Sequence, residues 1–497
     1  MSGIRKQSIY SSILVYIGVG IGAINTYFFV KNGSFSPQEY ALTRLFFDIG
    51  QNFYILASLG AIPVLYKFYP YYKDNLHDKQ NDLLTRSLIV AFIGFILVAI
   101  AGYIFEPLVV RKFSERSALL VDHYHWIFVF AFGLLFFSVL EGYTWALQKT
   151  IVSNFLRETG LRMITFVFII LFYFKYIDFH QFMLLFSTLY IILTLCLLFY
   201  LIGKGKFIIT FKASRVTKKL RKKMLGMQSL IFGGIVVQTI GQTIAGIIIA
   251  SLKGMTQTAV FSLALYAANL VQIPQRSIQS IATGVLVRAW KNKNYAEISR
   301  IYQRSCINML LLSVFIFGNI WLNARDGFNV LNIQNDYAAG LQVILVIGIL
   351  RIIDAGTGVN ATVIAASNFW KFEFFTGVIL LLLPIPLTYI FVKEFGIIGS
   401  AYSELIAFTI YNAIRFEFIR RKFHMQPFNV KTVYALLLGV LAFFLTYFLF
   451  NNLHGWIAII LRSILFSTII IAGTFALRLT PDAHQLYDIG KQRIKRK

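Results

Sequence analysis

Fourteen apolar stretches, each long enough to cross a bilayer as a helix, run from Ser8 to Leu477 and leave almost no chain between them. They fall at 8–30, 40–66, 84–104, 123–147, 153–174, 180–202, 225–252, 258–288, 303–324, 338–366, 372–392, 397–419, 431–450 and 455–477. About 20 apolar residues cover the hydrocarbon core as a helix. The chain is 58% hydrophobic and only 14% charged, with a mean hydropathy of +0.69, which excludes an ordinary globular domain. Helices satisfy their own backbone groups in lipid. Barrel strands would alternate over about 10 residues, and runs such as Val378 to Pro384 do not alternate. The predicted fold is an all-α polytopic membrane protein, so the function must lie within the membrane.

An even number of spans puts both termini on one side, and Lys and Arg choose the side. Of the 47 Lys and Arg, only Lys31, Arg111, Lys112, Arg116, Lys175, Lys253, Arg325 and Lys393 fall in the opposite loops. Arg44, Arg276, Arg351 and Arg462 fall inside spans, and all the others on the side of the N-terminus. Both termini are therefore expected in the cytoplasm. The net charge of +26 is read the same way, as positive loops beside anionic lipid rather than a nucleic-acid surface. Arg5 and Lys6 precede an apolar run longer than the 7–15-residue core of a cleavable signal, so the first span is expected to stay. Cys196 and Cys306 lie in spans, and the seven His form no metal motif. No metal or other cofactor is expected.

The longest and most basic connection, 203–224, contains Lys218-Lys219-Leu220-Arg221-Lys222-Lys223. It separates six spans from six, with two more appended. The expected organisation is an N-terminal six-helix bundle at 1–202, a cytoplasmic linker at 203–224 and a second bundle at 225–424. Two appended helices at 425–477 and a basic tail at 478–497 follow. Equal orientation makes the two halves a parallel repeat. Gln51 and Gln272, Ala61 and Ala282, Val64 and Val285, Leu65 and Leu286, and Lys67 and Arg288 recur at one constant offset. Ser153-Asn154-Phe155-Leu156-Arg157 is likewise similar to Ser367-Asn368-Phe369-Trp370-Lys371.

The first loop, Ser36-Pro37-Gln38-Glu39-Tyr40-Ala41, resembles the S-P-E-E-Y-G turn of polysaccharide flippases. Phe395-Gly396-Ile397-Ile398-Gly399-Ser400-Ala401 is similar to their G-x-x-G-A-A segment. With six, six and two spans, the whole chain resembles the Wzx-type flippases of the multidrug/oligosaccharidyl-lipid/polysaccharide exporter (MOP) superfamily. That resemblance implies translocation of an undecaprenyl-diphosphate-linked oligosaccharide, for example an O-antigen unit, from the cytoplasmic to the periplasmic leaflet of a bacterial inner membrane. Partners would be the lipid-linked glycan, membrane lipid, H+ or Na+, and polysaccharide assembly proteins. The peptidoglycan-precursor flippases also have fourteen helices but carry arginines in the first, where this chain has none between Ser8 and Val30.

Moving a diphosphate and its sugars across hydrocarbon requires a polar cavity with positive charge, and arginine suits diphosphate through paired hydrogen bonds. Within span eight, Gln272-Ile-Pro274-Gln275-Arg276-Ser277-Ile-Gln279 is the most polar stretch inside any span, and facing lipid it would be costly. The substrate-binding candidates are Arg44, Gln272, Gln275, Arg276, Gln279 and Arg351, with the arginines expected to face one cavity between the halves. Asp48 lies four residues after Arg44, and Asp354 three after Arg351, so each pair shares a helix face and is expected either to neutralise itself or to exchange a partner with substrate or a cation. Asp48, Glu141, Asp354 and Glu404 are the ion-coupling candidates, with a solvated rim position the alternative for Glu141. Arg462 ranks last, near lipid or an interface. The glycine string at 18, 20 and 22 sits mid-span and is read as helix packing, not a nucleotide loop.

Two other functions compete. A cation-coupled multidrug exporter of the same superfamily would need fewer arginines and usually stops at twelve helices. A membrane-embedded oligosaccharide polymerase or ligase would need a catalytic outer loop. The longest such loop, roughly 104–122, carries Glu106, Arg111, Arg116 and Asp122 without a catalytic constellation. The expectation is a transporter, not an enzyme. With no Walker-type loop in the sequence, uphill transport would draw on an ion gradient or on removal of product.

Overall fold

The computed structural model describes residues 17–482 and is all helical. The start of the first expected span, Arg5, Lys6 and most of the basic tail lie outside the described residues. The helices are α1 (Ile17–Val30), α2 (Pro37–Ser58), α3 (Ala61–Asn75), α4 (Leu83–Phe113), α5 (Ala118–Asp122), α6 (Tyr124–Ala146), α7 (Thr150–Phe155), α8 (Leu161–Tyr173), α9 (Phe179–Ser187), α10 (Leu189–Gly203) and α11 (Arg215–Lys253). There follow α12 (Met255–Asn269), α13 (Ile273–Lys291), α14 (Tyr295–Val330), α15 (Leu341–Gly356), α16 (Asn360–Ala365), α17 (Trp370–Leu382), α18 (Pro384–Phe395), α19 (Ile397–Phe423), α20 (Val430–Leu449) and α21 (Gly455–Ala476). Among the described residues ten helices are long and apolar enough to cross a membrane, and the bent pair α2–α3 makes an eleventh. Helix also occupies the remaining three expected spans. There it is only partly described (α1), broken by the π turn Leu156–Gly160 (α7–α8), or broken by the 3₁₀ turn Leu270–Gln272 (α12–α13).

The breaks have local causes. Leu59 and Gly60 both take positive φ, 46° and 74°, and α3 leaves α2 at 47°. Pro274 sits in the first turn of α13, where its missing N–H breaks no helical bond. The loop motif before α2 is a capping box: Glu39 N–H donates to Ser36 Oγ at 3.3 Å, and Ser36 N–H to Glu39 Oε2 at 2.7 Å. Gly396, at φ +69°, joins α18 to α19. A Cβ on Gly399 would come within 2.1 Å of the Phe391 carbonyl, so the resembling G-x-x-G segment serves a close crossing.

Packing divides the chain into two compact units, Met1–Ala259 and Val260–Lys497. The basic 203–224 connection lies inside the first unit. Its second half is helical, because Ser214 caps α11 and Lys218 to Lys223 ride on that helix. The first unit has an aromatic core in which Phe35 stacks on Phe172 at 4.2 Å and Phe46, Phe130, Phe182 and Phe186 are fully buried. In the second unit Leu286, Ile298, Tyr302, Val359, Val363 and Ile419 form one core cluster, and the α20–α21 pair packs on α14 through Leu322, Ala442, Phe466 and Ile470.

Loops assigned to one side by charge meet in space. Lys206 Nζ reaches Asp78 Oδ2 at 2.7 Å and Arg215 donates to the Asn75 carbonyl at 2.8 Å. On the opposite side Arg116 donates to the Leu252 carbonyl, and Ser117 Oγ to that of Ala250 at 2.9 Å. In the second unit Gln303 donates to the Gln426 carbonyl at 3.0 Å.

Candidate functional site: two intramembrane polar clusters

In the first unit the centre is Glu141 on α6, only 2% exposed, so it is not the solvated side chain that the rim alternative expected. Arg157 Nη2 lies 2.6 Å from Glu141 Oε2 and donates to Ser138 Oγ at 3.4 Å. Arg157 belongs to the π turn Leu156–Gly160, whose extra residue re-aims side chains inside a helix. Glu141 Oε1 and Arg157 Nε are buried with no hydrogen-bond partner among the described residues. Nearby, Arg162 pairs with Glu158 at 3.1 Å, and Asn25 donates to the Arg162 carbonyl at 2.8 Å. Gly18 and Gly22 leave room for this pair: a Cβ on Gly18 would lie 2.9 Å from Arg162 Nη1, and one on Gly22 3.0 Å from Arg162 Nε. Gly20 meets nothing within 4 Å, so two of the three glycines serve packing.

Arg44 and Asp48 do not form the expected ion pair. Arg44 is exposed, with its guanidinium 6.0 Å from the centre of the Phe47 ring. Asp48 turns to α11, where a Cβ on Gly246 would come within 2.6 Å of Asp48 Oδ2. Asn52 ties this contact by donating to the Asp48 carbonyl and to Thr243 Oγ, both at 2.7 Å.

The second unit holds a larger network. Arg351, 6% exposed, pairs across helices with Glu404 at 3.7 Å and donates from Nε to Asn269 Oδ1 at 3.1 Å. Its expected partner Asp354 instead accepts from Gln275 Nε2 at 2.8 Å and Asn412 Nδ2 at 3.0 Å. Asn412 in turn accepts from Thr357 and Asn360 at 3.0 and 2.9 Å. The i,i+3 spacing puts two residues on one face but leaves open which neighbouring helix supplies their partners, and here a carboxylate and an amide from other helices win. Arg415 is buried against Glu373, with the Tyr411 ring centre 3.5 Å from its guanidinium. Of the span-eight candidates, Gln275 is buried, Gln272 and Gln279 are half-buried, and Arg276 is exposed.

Arg462, expected near lipid or an interface, is shielded inside the second unit. It is buried, paired with Asp326, and donates to the Phe450 and Leu453 carbonyls at 2.9 and 2.7 Å. Sequence reasoning passed over Arg157, Arg415, Glu373 and Asp326, counting the two arginines, at the ends of spans 153–174 and 397–419, with the cytoplasmic-side charges. The available signal was the demand each buried carboxylate or guanidinium makes for an opposite charge. No group of three His, Cys, Asp or Glu able to hold a metal occurs among the described residues.

Residues of α14, α15, α20 and α21 line an apolar cleft of about 330 Å³, walled by Val314, Trp321, Ile349, Gly439, Phe444 and Phe466 among others.

No family profile matches the sequence, and none of the curated proteins does. Solved structures match. A structure described as the lipid II flippase MurJ in an inward closed conformation aligns with a TM-score of 0.70 at 14% identity, over 95% of this chain and 99% of that one. An inward-facing multidrug resistance MATE family transporter of the MOP superfamily aligns with a TM-score of 0.63 at 16% identity, over 82% and 94%. A MOP superfamily transporter from Pyrococcus furiosus aligns at 0.55 and 16%, over 84% and 95%. The fold is that of these membrane transporters.

Proposed function

We propose that this chain, built on the MOP transporter fold, is a flippase of the Wzx type. It carries an undecaprenyl-diphosphate-linked oligosaccharide by alternating access from the cytoplasmic to the periplasmic leaflet of a bacterial inner membrane, with both termini in the cytoplasm. The apolar cleft bounded by α14, α15, α20 and α21 carries this reading, because a polyprenyl tail needs an apolar surface while its head crosses. The lipid II flippase aligns over all but one-twentieth of the 497 residues, fewer than the 20 and 22 residues of α20 and α21 combined. At least part of the appended pair is therefore shared with a protein that moves a lipid-linked substrate. The MATE transporter, by contrast, covers 82% of the chain, which favours the flippase over the multidrug reading.

Arg44 and Arg276, exposed and without an ion pair among the described residues, are the proposed contacts for diphosphate or an acidic sugar, with Gln272 and Gln279 beside Arg276. Arg351 and Gln275 are already committed to Glu404 and Asp354, so they would bind substrate only by exchanging those partners. The carboxylates Glu141, Glu404, Asp354 and Asp48 are the proposed places where H+ or Na+ biases one state over another, which needs only differential binding. In cells that depend on this protein for surface glycan, Arg276→Ala should abolish export at unchanged protein level and Arg276→Lys should restore part of it. Normal export by Arg276→Ala would remove the proposed substrate contact.

A further inference from the structure

We propose that a second lipid site, for one anionic phospholipid of the surrounding membrane, lies in the first unit between α3, α4 and α11. The cleft there measures about 270 Å³. Ala61 and Val64, Val90, and Met224 and Leu225 give it an apolar wall, and Arg86 and Arg221 stand at its rim.

The rim is built. Asp82, fully buried, receives Arg86 Nε at 2.5 Å, the Ser214 N–H at 3.2 Å and Thr217 Oγ at 2.9 Å. This anchors one edge of the Arg86 guanidinium and leaves its terminal amino groups without a hydrogen bond among the described residues. The Arg86 side chain is 38% exposed. Arg221, one turn above Leu225 on α11, is exposed and forms no ion pair among the described residues. Two cations against one buried carboxylate leave a net positive rim.

Depth selects the ligand. Arg86 lies in the first turn of α4, whose next charged residue is Glu106. Arg221 lies just before the apolar run of α11. The cations therefore sit at headgroup level with the apolar wall below them, toward the acyl chains. A phosphate answers the guanidinium groups by paired hydrogen bonds, and an acyl chain covers the wall. A soluble anion would leave the wall uncovered, and a zwitterionic phospholipid would offer its phosphate but bring its own cation against the net positive rim. A lipid bound here joins the start of α4 to α11 and stabilises the first unit. This inference needs the membrane fold but not the flippase reading.

The test uses the full-length protein in detergent, with lipid retention read by native mass spectrometry and thermal unfolding followed in parallel. Wild type should retain one phosphatidylglycerol and gain more thermal stability from it than from phosphatidylcholine. Arg221→Gln should weaken that retention about fivefold, the effect of one basic residue at an anionic surface. Val90→Trp, which fills the cleft at constant charge, should weaken it too, and Lys222→Gln, off the cleft wall, should leave it intact. Equal retention of the two lipids, or equal loss in Lys222→Gln, would overturn the site. Displacement by millimolar inorganic phosphate, or tighter retention of undecaprenyl phosphate than of phosphatidylglycerol, would overturn the identity of its ligand.

Discussion

Arg462 is held by four contacts: the Asp326 carboxylate and the carbonyls of Leu322, Phe450 and Leu453. It thereby joins the α20–α21 turn to the end of α14. Truncating it leaves the buried Asp326 with only the Gly455 N–H at 3.3 Å and the His454 ring at 3.4 Å, a loss of up to about 3–5 kcal/mol. Arg462→Ala should therefore lower the unfolding temperature in detergent sharply, and Asp326→Asn in the same background should recover part of it. Asp354 is different, being held by the neutral amides of Gln275 and Asn412. If it carries the coupling ion, Asp354→Asn should fold normally and transport only as fast as wild type does with proton and sodium gradients collapsed. Wild-type transport that is indifferent to both gradients would leave Asp354 a structural counter-charge. At this scale the charges deep inside spans were legible, because hydrocarbon makes them conspicuous, whereas those near span ends, such as Glu373 in 372–392, were passed over. Their partners were not legible: Arg351 chose Glu404 over Asp354, and Arg157 and Arg415, at span ends counted with the cytoplasmic charges, pair with Glu141 and Glu373.

Helix pairs approach closely where glycine permits it. A Cβ on Gly94 of α4 would lie 2.0 Å from the Ala57 carbonyl of α2, whereas one on Gly20 of α1 meets nothing within 4 Å. Gly94→Ala forces two backbones apart and should cost about 1–3 kcal/mol, while Gly20→Ala should be neutral in the same unfolding assay. The extents of most helices follow the apolar runs, since lipid demands a continuous apolar length. The π turn at Leu156–Gly160 and the 3₁₀ turn at Leu270–Gln272 had no such signal. Only Pro274 hinted at the second. The α11 start at Arg215 was hidden too, because a charged helix extending beyond the bilayer reads as linker in a hydropathy scan.

For the whole molecule, the loops grouped by charge meet at common ends of each unit, as in Lys206 with Asp78 and Arg116 with Leu252. Single cysteines at Lys218 should accordingly label from the cytoplasm, and those at Arg116 and Lys253 from the opposite side. Labelling of Lys218 from outside would reverse the topology. Lys491, expected with Lys218, lies beyond the described residues. Fold class was readable from hydropathy and the charge count alone. The proposed substrate is not encoded in either, and the proposal rests on the appended helices and the apolar cleft they help to line. The most direct measurement is flipping by the purified protein in proteoliposomes, comparing a fluorescent undecaprenyl-diphosphate oligosaccharide with a cationic dye. The account predicts transfer of the lipid-linked sugar between leaflets, lost in Arg276→Ala, and no accumulation of dye. Dye transport without movement of the lipid-linked sugar would contradict it and make this chain a multidrug exporter.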